Sequence, residues 1–256
     1  MIANYHTHTA RCRHAFGDER EYIETAIKRG LKTLGFSDHS PQIFPDGYYS
    51  NFRMFPDQIS DYFATLEGLK REYSKDIEIL IGFEAEYYPK HFPALIEHIR
   101  PFKPDFLILG QHFLKNEYDG PYTGADSDSE DKLKLYVDQT LEGLETGRYS
   151  YFAHPDLINF TGTHDIYYKH MHHLCRRAKE LHIPLEINLL GLADGRQYPR
   201  TEFWKIAAEV GNEVVLGCDA HEPDAVANPR VLDAAYSYAA RLGITPVERI
   251  ALRKPC

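Results

Sequence analysis

The sequence has few cysteines and no close-spaced pair of them. Cys12, Cys175, Cys218 and Cys256 are scattered, with no CxxC. This argues against a disulfide framework and fits a reducing, cytoplasmic setting. No apolar run is long enough to span a bilayer, and the opening residues lack the basic-then-apolar order of a signal peptide. Positive charge is in deficit: the formal net charge is −9, which argues against a general grip on nucleic-acid backbones while allowing a local basic pocket. Linkers and low-complexity tracts are missing too, so the 256 residues read as one domain, 1–256. What the chain has in quantity is histidine, with fourteen. Their positions carry more than their number.

Periodicity alternates short strands with amphipathic helices, the pattern of βα units on a parallel sheet. After the opening Met1–Asn4 strand, a helix is expected over Glu19–Arg29, stopped by Gly30. Strands follow at Leu34–Phe36, Ile77–Phe83, Phe106–Leu109, Tyr151–Ala153, Leu185–Ile187 and Val214–Gly217. Between them lie helices near Asp57–Tyr73, Phe92–Ile99, around Leu133–Leu144, around Met171–Leu181 and over Glu202–Val210. A last helix near Pro229–Leu242 closes the series, giving seven strand-then-helix units.

Six of the seven strands end in a residue able to bind metal: His6 and His8, His39, Glu84, His112, His154, then Asp219 and His221. In a strand, residues two apart share a face, so His6 and His8 point together, as do Asp219 and His221. A barrel of parallel strands gathers all its strand C-termini at one mouth, where residues far apart in sequence converge. His14, in the loop Arg11-Cys12-Arg13-His14, joins them from close to His8, although alone it would read as a surface histidine. Asp38 is expected to orient a ligand rather than bind metal. Glu86 shares a face with Glu84 and reads as a substrate contact or a solvated group. His91, His98, His164, His170, His172, His173 and His182 fall on helices at spacings of solvated faces and are left out. Nine donors exceed one coordination sphere, so two or three ions are implied. Nitrogen-rich ligation with two carboxylates suits Zn, Mn or Fe.

The order His-x-His, His14-Ala15, Ser37-Asp38-His39, Glu84, His112, His154-Pro155 and Asp219-Ala220-His221 resembles the PHP (polymerase and histidinol phosphatase) superfamily. Within it the chain is similar to the monofunctional bacterial histidinol-phosphate phosphatases. The resemblance spans nearly the whole chain. It implies an α/β fold, a distorted seven-stranded (βα)7 TIM-like barrel with the metal site at the strand C-terminal face. It also implies three divalent transition-metal ions. The first would be held by His6, His8, Glu84 and Asp219, the second by Glu84, His112 and His154, and the third by His14, His39 and His221. Glu84, Asp219 and His221 are carried as catalytic residues as well. One segment departs from the pattern: relatives carry an arginine in a Gly-Leu-Arg setting after the Asn-containing strand end, whereas this chain reads Gly191-Leu192-Ala193-Asp194-Gly195-Arg196.

The resemblance therefore implies hydrolysis of a small phosphate monoester, L-histidinol phosphate in histidine biosynthesis, by hydroxide bridging two ions. Arg196 is the foremost candidate to fork onto the phosphate, with Arg53 and Lys115 behind it. Glu86 would meet the substrate's ammonium. The donor of a proton to the leaving oxygen and the oligomeric state stay open. One rival is a PHP-type phosphodiesterase or nuclease acting on nucleotides, which would favour a basic groove. Another is a non-enzymatic metal-binding module, which would be expected to lack ligands. An amidohydrolase would need a strand-end lysine to carbamylate, and none is present.

Overall fold

Seven parallel strands lie in chain order in one sheet of the computed structural model, which describes residues 1–256 apart from the side chain of Asp46. They are β1 (Ala3–Asn4), β2 (Thr33–Phe36), β3 (Glu78–Ala85), β4 (Phe106–Leu109), β5 (Tyr151–Phe152), β6 (Leu185–Asn188) and β7 (Val214–Gly217). Just past β1, Thr7 bridges Ala220 just past β7 in parallel, with His8 N donating to Ala220 O at 2.9 Å. The sheet thus nearly closes into the (βα)7 barrel expected from the sequence. The distortion lies in its thin staves: β1 and β5 have two residues each, and β5 meets β6 at one residue pair.

The helices form where local chemistry dictates. α1 (Glu19–Lys28) starts at a capping box in which Asp18 and Glu21 each accept the other's backbone N–H, and it buries Tyr22, Ile23 and Ala26. α2 (Ile59–Glu72) buries Ile59, Phe63, Leu66 and Leu69, each worth roughly 1.5–3 kcal/mol on leaving water. α3 (Phe92–Ile99), α4 (Glu130–Glu145), α5 (His164–Glu180), α7 (Thr201–Val210) and α8 (Pro229–Arg241) stand near their expected places. A short helix, α6 (Leu189–Asp194), was not expected; Asn188 caps it by accepting from Gly191 N.

Strand alternation divides the core in two. Outward residues such as Leu107 and Leu109 pack under the helices. Inward residues Ala3, Tyr5, Phe106, Ile108, Tyr151 and Val215 fill the barrel. Tyr5 meets Phe106 and Tyr151 edge to face, at 6.2 and 6.4 Å between ring centroids. This apolar plug leaves the strand C-terminal mouth as the place where inward polar side chains collect.

Two expectations need correcting. β3 runs through Ala85 rather than stopping at Phe83, so Glu84 is held inside a paired strand. His170 is not on a solvated face: it is buried on α5 and pairs with Glu130 at 2.9 Å.

Candidate metal centre

The mouth is built by backbone pairing that continues past the strands. Ser37 N donates to Thr7 O at 2.8 Å, and Ala220 N to His6 O at 3.3 Å, so the segment after β1 stays extended. His6 and His8 therefore face one way, with ring centroids 5.2 Å apart. His39 bridges Glu84 in parallel, which brings the end of β2 level with the end of β3.

Glu84 lies at the centre. Its Oε2 is 3.5 Å from His6 Nε2, 3.5 Å from His8 Nε2 and 3.2 Å from His39 Nδ1. Its Oε1 is 2.8 Å from His154 Nε2 and 3.6 Å from His112 Nε2. Asp219 Oδ1 lies 3.1 Å from His8 Nε2 and 3.5 Å from His6 Nε2. On the outer side His14 Nε2 and His221 Nε2 stand 2.9 Å apart. All nine expected donors thus come together around Glu84 and Asp219.

Acceptors behind the rings fix which nitrogen faces the centre. His6 Nδ1 is held by Glu186 at 2.9 Å, His112 Nδ1 by Glu86 at 2.8 Å, His14 Nδ1 by Cys12 O at 2.9 Å and His221 Nδ1 by Asp219 O at 3.0 Å. Such partners orient a ligating imidazole and raise its basicity. Asp38, expected in this role, stands 3.5 Å from His8 Nδ1 and accepts the Thr9 hydroxyl. Asn188 donates to Glu186 at 2.8 Å and to Asp219 at 3.0 Å, tying β6 to the end of β7.

Charge and strain are concentrated here. Burial pulls the His6 imidazole down, but Glu186, Asp219 and Glu84 outweigh it and hold it at about 10. Burial likewise opposes ionisation of Glu84, yet His112, His39 and His6 keep it well below the usual carboxylate range. His221, desolvated and beside His8, is pushed down to about 3. His154 (φ 32°) and Asp219 (φ 49°) occupy the left-handed region, where a non-glycine residue costs about 1–3 kcal/mol and persists only if its surroundings demand it. The carboxylates need room as well. A Cβ at Gly110 would lie 1.8 Å from Glu84 Oε1, and one at Gly217 would lie 2.0 Å from Glu186 Oε2.

The donor set fits divalent cations. His6 Nε2, His8 Nε2, His39 Nδ1 and His154 Nδ1 are buried without a hydrogen-bond partner among the described residues, at roughly 1–3 kcal/mol each if left so. Ligand atoms of His6, His8 and Asp219 lie within 4.8 Å of one another; so do those of His6, Glu84 and His154, and those of His14, His39 and His221. Imidazoles with two ionised carboxylates are the donors of a borderline transition metal.

A cavity of about 380 Å³ opens beside the cluster, walled by Phe52, Phe113, Tyr122, Leu157, Leu190, Arg196 and Tyr198. Among the residues expected to bind substrate, Arg196 lines it, pairing with Asp194 at 2.8 Å and donating to the Tyr198 hydroxyl at 3.0 Å. The other three depart from expectation. Arg53 is buried, with its guanidinium spent on Glu117, Glu86 and the Ser40 carbonyl. Glu86 is neither solvated nor open to an ammonium, being fully buried between Arg53 and His112. Lys115 is exposed and lines a separate cavity with Lys90, His91 and Tyr118. Glu186 and Tyr198 were missed. Glu186 had a signal, since it shares a strand face with Asn188 inside an otherwise apolar run.

Residues 4–189 match the PHP domain family model. A Deinococcus radiodurans protein named Probable histidinol-phosphatase is 29% identical over 231 residues, covering 88% of each chain. The Histidinol-phosphatase of Bacillus subtilis is 29% identical over 120 residues, 44% of each. The fold is shared with histidinol phosphate phosphatase from Lactococcus lactis, solved with zinc, L-histidinol and phosphate, at a TM-score of 0.75 and 19% identity over 99% of this chain and 97% of that one. With the family model matching residues 4–189, most of the chain, the protein belongs to the PHP domain family.

Proposed function

We propose that the protein is a metal-dependent phosphomonoesterase whose substrate is L-histidinol phosphate. The observation that carries this reading is the division of Glu84, with one oxygen turned to His6, His8 and His39 and the other to His112 and His154. A carboxylate so placed can serve two cations at once. His6, His8, Glu84 and Asp219 would hold one ion, Glu84, His112 and His154 a second, and His14, His39 and His221 a third. Zn, Mn or Fe bound there would supply Lewis acidity, drawing charge from phosphate oxygens and making water acidic enough to attack phosphorus.

The chain's own residues supply the rest. Glu186 and Glu86 hold His6 and His112 in one tautomer and orientation. Arg196, on the cavity wall, takes a phosphate oxygen by a charge-assisted bond. Phe52 and Phe113, whose rings stack at 5.8 Å, offer a planar apolar wall to the leaving group. The names of the Deinococcus and Bacillus relatives, and the ligands in the Lactococcus structure, support the choice of substrate. Four unpaired cysteines support a reducing, cytoplasmic location, and no helix among the described residues is long and apolar enough to cross a membrane. The net charge of −9 speaks against a nucleotide phosphodiesterase.

The test is phosphate release from a panel of monoesters and a bis-ester, by stripped protein with Zn, Mn or Fe restored. L-Histidinol phosphate should give the highest kcat/KM. Preference for the bis-ester, or no metal-stimulated release from any monoester, would overturn the reading.

A further inference from the structure

Hydrolysis of an alkyl phosphate needs a proton for the departing oxygen, and the cavity wall is short of groups able to give one. Its histidines and carboxylates are all committed to the candidate metal centre around Glu84 and Asp219. Phe52, Phe113, Leu157 and Leu190 carry no exchangeable proton, and the guanidinium of Arg196 does not surrender one. Two hydroxyls remain on that wall, those of Tyr122 and Tyr198. They are differently placed. Tyr122 is 44% exposed at the rim. Tyr198 is 3% exposed, with its ring 5.7 Å from that of His154.

The fold goes to some length to seat Tyr198. Its ring lies against Gly191 in α6, where a Cβ would fall 2.4 Å from Cδ2, so any larger residue there would evict the ring. Asn188 holds that helix by accepting from Gly191 N at 2.8 Å, and Asn188 also donates to Asp219. The tyrosine is thus coupled to the same residues that set the metal centre. Its oxygen accepts from Arg196 Nη1 at 3.0 Å, which leaves the hydroxyl hydrogen uncommitted among the described residues. Burial and the nearby Asp219 carboxylate push the phenol up, and the guanidinium on its oxygen works against them by stabilising the phenolate, so the free hydrogen can leave with a counter-charge already in place.

We propose that Tyr198 is the catalytic acid that protonates the leaving oxygen, with Arg196 as the group that offsets the resulting phenolate. The inference rests on the phosphomonoesterase reading. The bond between phosphorus and the ester oxygen breaks, and its electron pair stays on the ester oxygen. The Tyr198 hydroxyl proton passes to that oxygen, giving the free alcohol and a phenolate beside Arg196. The attacking water keeps its oxygen on phosphorus and loses one proton to solvent, and solvent returns one proton to the phenolate. In sum, ester and water give alcohol and phosphate.

Leaving groups of different basicity separate this role from a structural one. Metal-loaded wild type and Tyr198→Phe are compared on L-histidinol phosphate, whose alkoxide needs a proton, and on 4-nitrophenyl phosphate, whose phenolate leaves without one. For the alkyl ester kcat should fall about 100-fold or more, while the nitrophenyl ester should change less than about threefold, with metal content retained. Equal losses on both esters, or no loss on either, would overturn the assignment, as would a Tyr122→Phe variant carrying the leaving-group-dependent loss instead. Should Tyr198→Phe fail to fold, the wild type decides alone on a series of aryl phosphates. A shallow dependence of kcat on leaving-group basicity supports an acid, and a steep one refutes it. If wild type releases phosphate from no monoester, the phosphomonoesterase reading has failed, and Tyr198 has no leaving oxygen to serve.

Discussion

Glu84 Oε1 stands 2.8 Å from His154 Nε2, joining β3 to the end of β5 across the barrel mouth. The contact exists because β4, which lies between those strands, is followed by Gly110; a Cβ there would lie 1.8 Å from the same oxygen. Three successive staves are thus shaped around one carboxylate. With its other oxygen turned to His6, His8 and His39, Glu84 is the group through which the two halves of the cluster meet.

Glu84→Gln keeps the shape and removes the charge that offsets neighbouring cations. An amide nitrogen carries two hydrogens and does not ligate. Bound metal should fall and phosphate release should drop by several orders of magnitude, while circular dichroism stays that of the parent, because the residue adds little to the apolar core. Normal turnover at full metal occupancy would remove Glu84 from the bridge.

Glu186→Ala tests the residue behind His6. It leaves His6 Nδ1 without its carboxylate and Asn188 Nδ2 with Asp219 alone. Loss of such a partner costs about 10- to 100-fold in metal affinity. Competition with a chromophoric chelator reads that change directly, and an affinity equal to wild type would make Glu186 a bystander.

The seven-unit barrel and the convergence of the strand-end donors were legible in the sequence, because strand periodicity places ligand residues at strand ends and parallel strands bring those ends together. His14, in a loop, joins them only by its nearness to His8. Residues behind the ligands were not legible. Glu186 hides in Leu185-Glu186-Ile187-Asn188, which reads as a buried apolar strand until Asn188 is seen to share its face. Arg53 and Glu86 looked like free charges, because a sequence does not say that Glu117, from a loop far along the chain, will share the guanidinium. Tyr198 follows α6, a six-residue helix too short to show a period.

Arg53→Ala would leave Glu86 and Glu117 as buried carboxylates without their cation. Breaking a buried pair this way costs about 3–5 kcal/mol. Urea unfolding should show that loss, and adding Glu86→Gln and Glu117→Gln should recover part of it. A loss below about 1 kcal/mol would contradict the assignment of Arg53 as a structural cation.

If Arg196 holds the phosphate as proposed, Arg196→Ala removes a charge-assisted bond worth roughly 1.5–3 kcal/mol. Efficiency should fall about 10- to 100-fold at constant metal content. Wild-type kcat/KM would pass the phosphate to another residue.

The central claim is that one centre of nine donors holds several ions and hydrolyses a phosphate monoester with them. Its most direct test is the rate of phosphate release from L-histidinol phosphate, followed as metal is added back to stripped protein and counted per chain. The account predicts no release from stripped protein, and activity that continues to rise beyond the first equivalent of Zn, Mn or Fe. Full activity in stripped protein, or a rate already saturated at one equivalent, would contradict it.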